Sequence, residues 1–115
     1  MIRIKHLAEI MPVTTSHHVG EKRVLTSKEE TQSNITQMAV TKLKAGERAE
    51  KHAHPTMEEF FFFRKGKAVI VTEEGEWTCE AEDFVQVTAG TTHELRAVTD
   101  VEVMTIGCAI EPENV

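Results

Sequence analysis

Short segments rich in β-forming residues, separated by glycines at regular intervals, make up this sequence from Ile35 onward. The glycines that punctuate it are Gly46, Gly66, Gly75 and Gly90. This arrangement is typical of antiparallel β-sandwiches and barrels, whereas βαβ units place long helical stretches between their strands. No window after residue 30 shows the 3.6-residue apolar repeat of an amphipathic helix. The sequence therefore predicts an all-β antiparallel fold.

Eight segments are predicted as strands. They are Ile35–Leu43, Arg48–His54, Glu59–Arg64, Lys67–Thr72, Trp77–Cys79, Phe84–Val87, His93–Val98 and Val101–Cys108. The polar stretch 26–34 predicts a loop, with room for a helical turn near Glu29–Thr31. At 115 residues the chain has the length of one domain, 1–115. We expect an N-terminal segment of strand and loop over 1–34 and a barrel core over 35–108.

The charge of the chain bears on its partners. It carries 13 lysines and arginines against 19 acidic residues, a net charge of −6, which argues against nucleic acid or an anionic membrane surface as a partner. The sequence has no apolar run as long as a membrane span and no signal-peptide core at its start. Its two cysteines lack CxxC spacing. We therefore expect a cytoplasmic protein with reduced thiols and a small-molecule partner.

Histidines and carboxylates cluster within one stretch. His52 and His54 lie two residues apart in a predicted strand, so their side chains share one face. Their Cβ atoms are then about 6.5–7 Å apart, a gap that two imidazoles can close around one ion at bond lengths of about 2.0–2.1 Å. Glu58 and Glu59 follow, and His93 is a further candidate ligand downstream. This pattern predicts a metal site.

Four consecutive phenylalanines follow the carboxylates. Phe61 and Phe63 share strand parity with Glu59, so all three face inward if Glu59 is a ligand. Phe60 and Phe62 then face outward, and the strand is buried on both sides. We expect the outward pair to be covered by the N-terminal segment or by another subunit, because exposed neighbouring phenylalanines promote aggregation.

The spacing of these residues resembles the first motif of the cupin superfamily. That motif reads glycine, five residues, His-x-His, three or four residues, glutamate, six residues and glycine. Its five positions are occupied here by Gly46, His52, His54, Glu59 and Gly66. The second motif is kept only at Gly90 and His93. Its first glycine, its proline and its asparagine are replaced by Glu82, Thr88 and Ala97.

The resemblance covers about residues 35–108 and implies a jelly-roll barrel, also described as a double-stranded β-helix. It implies one divalent transition metal per chain, bound by His52, His54, Glu59 and His93. Strand parity and the spacing to Gly66 favour Glu59 over Glu58, which we expect to face solvent. Three imidazoles and a carboxylate suit Zn, Mn, Fe, Ni, Co or Cu better than Ca or Mg.

Function is less constrained, because this fold carries many activities. The first hypothesis is a metalloenzyme acting on an oxygenated small molecule, as a dioxygenase, a sugar or sugar-phosphate isomerase or a decarboxylase. The alternative is a non-catalytic module that binds a small ligand or a sugar. A third possibility is a barrel kept for oligomerisation, and we expect a homodimer. The chain contains no tyrosine, which excludes mechanisms that use a tyrosine as an acid, a base or a radical.

For several other residues the sequence allows two roles. The proton-transfer candidates are Glu58, Glu94, His17 and His18, and none of them stands out. The two histidines either lie exposed in a loop or reach the mouth of the pocket. Arg48, Arg64 and Arg96 are either surface charges or contacts for an anionic substrate. Met57 either lines the pocket or fills space, and Trp77 is predicted to be half-buried.

Overall fold

The computed structural model describes residues 1–15 and 17–110 as ten β-strands and two short 3₁₀ helices. The strands are β1 (Val13–Thr14), β2 (Glu21–Ser27), β3 (Ile35–Leu43), β4 (Arg48–His52), β5 (Met57–Lys65), β6 (Lys67–Thr72), β7 (Gly75–Glu80), β8 (Phe84–Val87), β9 (His93–Ala97) and β10 (Val101–Ala109). The 3₁₀ helices are Leu7–Glu9 and Lys28–Glu30. The all-β prediction is confirmed. Within the described ranges, neither helix has the length or apolar content of a membrane span.

The strands form two antiparallel sheets whose order does not follow the chain. The larger sheet has the order β1-β2-β3-β10-β5-β8 and the smaller one β4-β9-β6-β7. Consecutive strands such as β3 and β4, or β4 and β5, therefore belong to opposite sheets. The chain closes by pairing early strands with late ones, as β3 does with β10 and β4 with β9. This connectivity is that of the predicted jelly roll.

Strand bounds agree with the sequence for Ile35–Leu43, Lys67–Thr72 and Phe84–Val87, and the other predicted strands shift by one or two residues at one or both ends. The prediction that His54 lies within a strand is wrong, because β4 ends at His52. Pro55 has no backbone N–H to donate, so the ladder does not continue through it. His54 consequently lies in the loop between β4 and β5.

The hydrophobic core lies between the inner faces of the two sheets. In β5 the side chains alternate as predicted: Phe61 and Phe63 are 5 % and 0 % exposed, whereas Phe62 between them is 39 % exposed. From the other strands the core receives apolar side chains of several sizes. Its members with larger aliphatic side chains are Leu43, Ile70, Val87, Leu95, Val101 and Val103.

The outer face of the larger sheet is partly open. The ring of Phe60 stacks on Phe84 of the neighbouring strand at a centroid distance of 6.0 Å, and Phe84 is 61 % exposed. Ile2 and Ile4 of the N-terminal segment are themselves exposed. Since Phe62 of the outward pair is 39 % exposed, the N-terminal segment leaves at least this ring partly uncovered.

The N-terminal third is more ordered than its composition indicates. Strand β2 pairs along β3 and extends the larger sheet. Lys5 Nζ donates to the carbonyl oxygen of Leu25 at 2.8 Å, and Arg23 Nε donates to that of Ile10 at 3.2 Å. The prediction of a loop over 26–34 is wrong at its start, where Thr26 and Ser27 complete β2. Pairing with the free edge of β3 forms this strand despite its charged residues.

Candidate metal centre

Strands from both sheets contribute to one cluster of side chains. His52, the last residue of β4, is paired in register with His93, the first residue of β9, in the smaller sheet. Glu59 comes from β5 of the larger sheet and shares inward parity with Phe61. The site therefore lies between the two sheets, where β4 ends and β9 begins.

The histidine side chains converge on one carboxylate oxygen. Glu59 Oε1 lies 3.2 Å from His93 Nε2, 3.3 Å from His54 Nε2 and 3.9 Å from His52 Nε2. In the tightest group, one ligand atom from each of His52, Glu59 and His93 lies within 4.8 Å of the others. The structure thus brings together all four residues predicted from the sequence, with His54 outside the tightest group.

Two buried polar atoms of this cluster are not satisfied by the protein. Glu59 Oε1 and His93 Nε2 face each other, yet neither has a hydrogen bond of acceptable geometry within the described part of the chain. Buried polar atoms without partners are rare and costly. A bound cation would satisfy both, since each atom carries a lone pair suited to a metal. The residues present therefore fit a metal ion.

The pKa of Glu59 is lowered and that of His93 is raised. Burial raises the pKa of Glu59, but His93 and then the other two histidines outweigh it and hold that pKa below its usual value. Burial lowers the pKa of His93, but Glu59 and the carbonyl of Thr91 outweigh it and raise that pKa. Each group favours the charged form of the other. The carboxylate form needed for metal binding is thereby favoured at Glu59.

Backbone carbonyls orient two of the imidazoles. His52 Nδ1 is 2.8 Å from the carbonyl oxygen of Glu50, and His93 Nδ1 is 2.9 Å from that of Thr91. A carbonyl oxygen only accepts hydrogen bonds, so Nδ1 carries the proton in both rings. In the neutral ring Nε2 is then the atom with a free lone pair, and it is the one that faces Glu59.

The loop that carries His54 is hydrogen-bonded to the loop that precedes β9. The N–H of Gly90 donates to the carbonyl oxygen of His54 at 2.9 Å. Gly90 has a positive φ of 80°, a conformation that glycine adopts without strain. This contact holds the loop after β4 against the loop before β9. It brings His54 near the site although it lies beyond the end of its strand.

Exposure increases across the cluster in one direction. The side chain of His93 is 2 % exposed, that of Glu59 16 %, that of His52 24 % and that of His54 39 %. Phe61, whose ring centroid is 6.1 Å from that of His93, lies on the buried side. Small molecules can therefore reach the cluster from the side of His54 and His52.

Glu58 is turned away from this cluster, as its strand parity predicts. Its Oε1 accepts a hydrogen bond from Gln86 Nε2 at 2.8 Å, across the pair β5 and β8. The expectation that Glu58 is merely solvated needs correction, because its side chain is partly buried and has this partner.

The other candidates have contacts outside the histidine cluster. Arg64 NH1 lies 3.4 Å from Glu102, and Arg96 NH2 lies 2.9 Å from Glu94. Met57 Sδ is 3.1 Å from Thr36 Oγ1. Arg48 is exposed, with Arg96 as its partner in register, and Trp77 is half-exposed.

Of the two loop histidines for which the sequence left two interpretations open, His17 is the one that reaches the cluster. The ring of His17 lies 4.6 Å from that of His52, centroid to centroid. Burial lowers the pKa of His17 and outweighs the opposing effect of Glu59. Its neighbour His18 is exposed. Two adjacent histidines look alike in a sequence, so only the course of the chain before β2 distinguishes them.

Comparison with known proteins gives a family match. The family model described as the cupin domain matches residues 39–107. A search of curated proteins finds no significant match.

Solved structures with this fold are numerous and distant in sequence. A predicted oxalate decarboxylase from Thermotoga maritima is 21 % identical, with a TM-score of 0.86, over 94 % of this chain and 100 % of its own. Ectoine synthase from P. lautus is 17 % identical, with a TM-score of 0.82, over 96 % and 80 % of the two chains. A sugar phosphate isomerase from Silicibacter pomeroyi is 18 % identical, with a TM-score of 0.78, over 92 % and 75 %.

Proposed function

Because this chain belongs to the cupin family, we propose that it is a metal-dependent enzyme acting on an oxygenated small molecule. In this proposal His52, His54, Glu59 and His93 bind one divalent transition metal per chain. The observation that carries the proposal is the pair of buried, unsatisfied atoms Glu59 Oε1 and His93 Nε2. Three imidazoles and a carboxylate favour Zn, Mn, Fe, Ni, Co or Cu over Ca or Mg.

In this proposal the deeper side chains bind the ion, and substrate enters from the more exposed side of the cluster. His93 and Glu59 lie deepest, and the backbone carbonyls that bind Nδ1 of His52 and His93 keep both rings in a fixed orientation. Phe61 excludes water on the inner side. When bound, the ion supplies Lewis-acid chemistry by polarising a substrate oxygen. The more exposed side, near His54, admits the substrate.

The reaction types that we consider are dioxygenation, isomerisation of a sugar or sugar phosphate, and decarboxylation. The names of structural neighbours, a predicted oxalate decarboxylase and a sugar phosphate isomerase among them, support a small oxygenated substrate. Their identities of 21 % and 18 % limit that support to the class of molecule. A dioxygenase needs a redox-active metal, so metal identity separates this reaction from the other two.

A non-catalytic ligand-binding module is the second candidate. Two of the acid–base candidates have partners outside the cluster. Glu58 accepts a hydrogen bond from Gln86, and Glu94 is paired with Arg96. These partners favour a module without proton transfer. A binding module needs only the ion as an anchor for an acid or a sugar.

The deciding experiment begins with elemental analysis of protein purified without a tag. Oxygen uptake and product formation are then screened with small carboxylates, diols and sugar phosphates, before and after chelation. Turnover that chelation abolishes supports the enzyme. Stoichiometric metal with ligand binding but no turnover supports the binding module. Absence of metal after loading with each candidate ion contradicts both.

Glu59→Gln and Glu58→Gln test which carboxylate is the ligand. We expect Glu59→Gln to lower metal affinity at least about tenfold, because the charge facing three histidines is removed. Glu58→Gln should leave the affinity near that of the parent, because Glu58 contacts Gln86 instead. Competition with a chromogenic chelator measures both affinities. Equal losses would mean that the strand parity of β5 does not select the ligand.

We also propose that the protein is a homodimer, paired through the outer face of the larger sheet. Phe62 is 39 % exposed and Phe84 61 % exposed on that face, and a second copy would remove both from water. Sedimentation at micromolar concentration should give the dimer mass. Phe62→Glu should give the monomer mass with unchanged metal content, whereas Val98→Glu, at an exposed loop position, should not. A parent protein that sediments only as a monomer would refute the dimer.

A further inference from the structure

We infer that His17 is a fifth protein ligand of the metal centre, supplied by the N-terminal segment rather than by the barrel strands. This inference rests on the proposed function, because it assumes that His52, His54, Glu59 and His93 hold a metal. It adds a residue that lies outside the matched region 39–107.

The geometry of the rings carries the inference. The centroid of His17 is 4.6 Å from that of His52. The corresponding distances from His52 to His93 and to His54 are 4.4 and 4.9 Å. His17 is therefore as close to the central imidazole as the two other histidines are. Four imidazoles in one cluster form a donor set that suits a transition metal.

Described residues near His17 in the sequence are held by hydrogen bonds and packing. The hydroxyl of Thr15 donates to the carbonyl oxygen of Val19, and the N–H of His18 donates to that of Thr15. The side chain of Val19 packs against the barrel core. Gly20, with a φ of +70°, lies against the backbone of Lys42, where a Cβ has no room.

His18 provides the contrast within the same turn. It is exposed, with a positive φ of 61° that turns the chain, and it takes part in none of the ring contacts found among the described residues. An incidental surface histidine in this segment would resemble His18. His17 instead is partly buried against His52.

The position of His17 has a consequence for substrate binding. His93 and Glu59 approach from the buried side, and His54 lies on the exposed side of the cluster. Four protein ligands leave two positions on a six-coordinate ion, and a fifth ligand leaves one. His17 would thus hold the ion together with the barrel ligands and would limit the positions that a substrate can occupy.

The test uses Co²⁺, whose visible absorption reports the number and kind of its ligands. Metal-free full-length protein is titrated with Co²⁺ alone, and affinity is measured by chelator competition. The variants are His17→Ala, His17→Gln and the matched control His18→Ala. We expect both His17 variants to change the absorption bands and to weaken Co²⁺ binding by about tenfold. His18→Ala should match the parent.

Two outcomes overturn the inference and are distinguishable from each other. If the parent binds Co²⁺ and both His17 variants keep its spectrum and affinity, His17 is not a ligand although the proposed metal site stands. If the parent binds neither Co²⁺ nor any of the other candidate ions, the proposed function fails and the inference fails with it. Far-UV circular dichroism of each variant verifies that the β-fold is intact.

Discussion

The double variant His52→Ala/His54→Ala should purify without a transition metal while its β-fold remains intact. Two imidazoles are removed from the cluster around Glu59 Oε1. Since changes to residues that merely orient ligands already cost roughly 10–100-fold in affinity, losing two proposed ligands should cost more than about 100-fold. Both side chains are partly exposed and neither belongs to the hydrophobic core, so the far-UV spectrum should not change.

The control for this experiment removes two histidines elsewhere. His6 and His18 are both exposed, so His6→Ala/His18→Ala should retain the metal content of the parent. Elemental analysis after exhaustive dialysis compares the three proteins. Stoichiometric metal in the His52→Ala/His54→Ala protein would show that the ion is bound somewhere else.

Phe63→Ala should produce the largest loss of stability of any single truncation in β5. The side chain is 0 % exposed, and its removal leaves a cavity in the core between the two sheets. Truncating a buried phenylalanine costs about 3–5 kcal/mol of the free energy of unfolding. Trp77→Ala removes a larger side chain that is half-exposed, and we expect it to cost less than about 1 kcal/mol.

Urea unfolding at one low protein concentration measures both values from the transition midpoint and slope. Unequal losses in the predicted order support the assignment of Phe63 to the inner face. Losses of the same size at the two positions would contradict it.

The sequence predicted the barrel strands well because their pattern is local. The strand Ile35–Leu43 and the hairpin around Gly75 follow from β-forming residues and turn glycines, and both are present. Strand alternation also placed Phe61 and Phe63 inside and separated Glu59 from Glu58. A period of two suffices for such predictions, since it depends only on neighbouring residues.

The features that the sequence did not predict depend on contacts between distant residues. β2 contains Glu21, Lys22 and Arg23, which do not indicate a strand, and it forms because β3 offers a free edge. His54 leaves its predicted strand at Pro55, but the loop is held near the site by Gly90. His17 reaches His52 through the turn before β2, and no local pattern distinguishes it from His18.

The origin of the proposed metal ligands in both sheets would link metal occupancy to folding. His52 and His93 belong to the smaller sheet and Glu59 to the larger one, so an ion bound to all three joins the two layers. Its affinity would belong to the closed barrel, because the unfolded chain has no preformed site. Metal at 100 times its dissociation constant then adds about 2.7 kcal/mol to the unfolding free energy. Chelation should accordingly speed amide hydrogen exchange in β4, β9 and β5 together, as the barrel opens at this end.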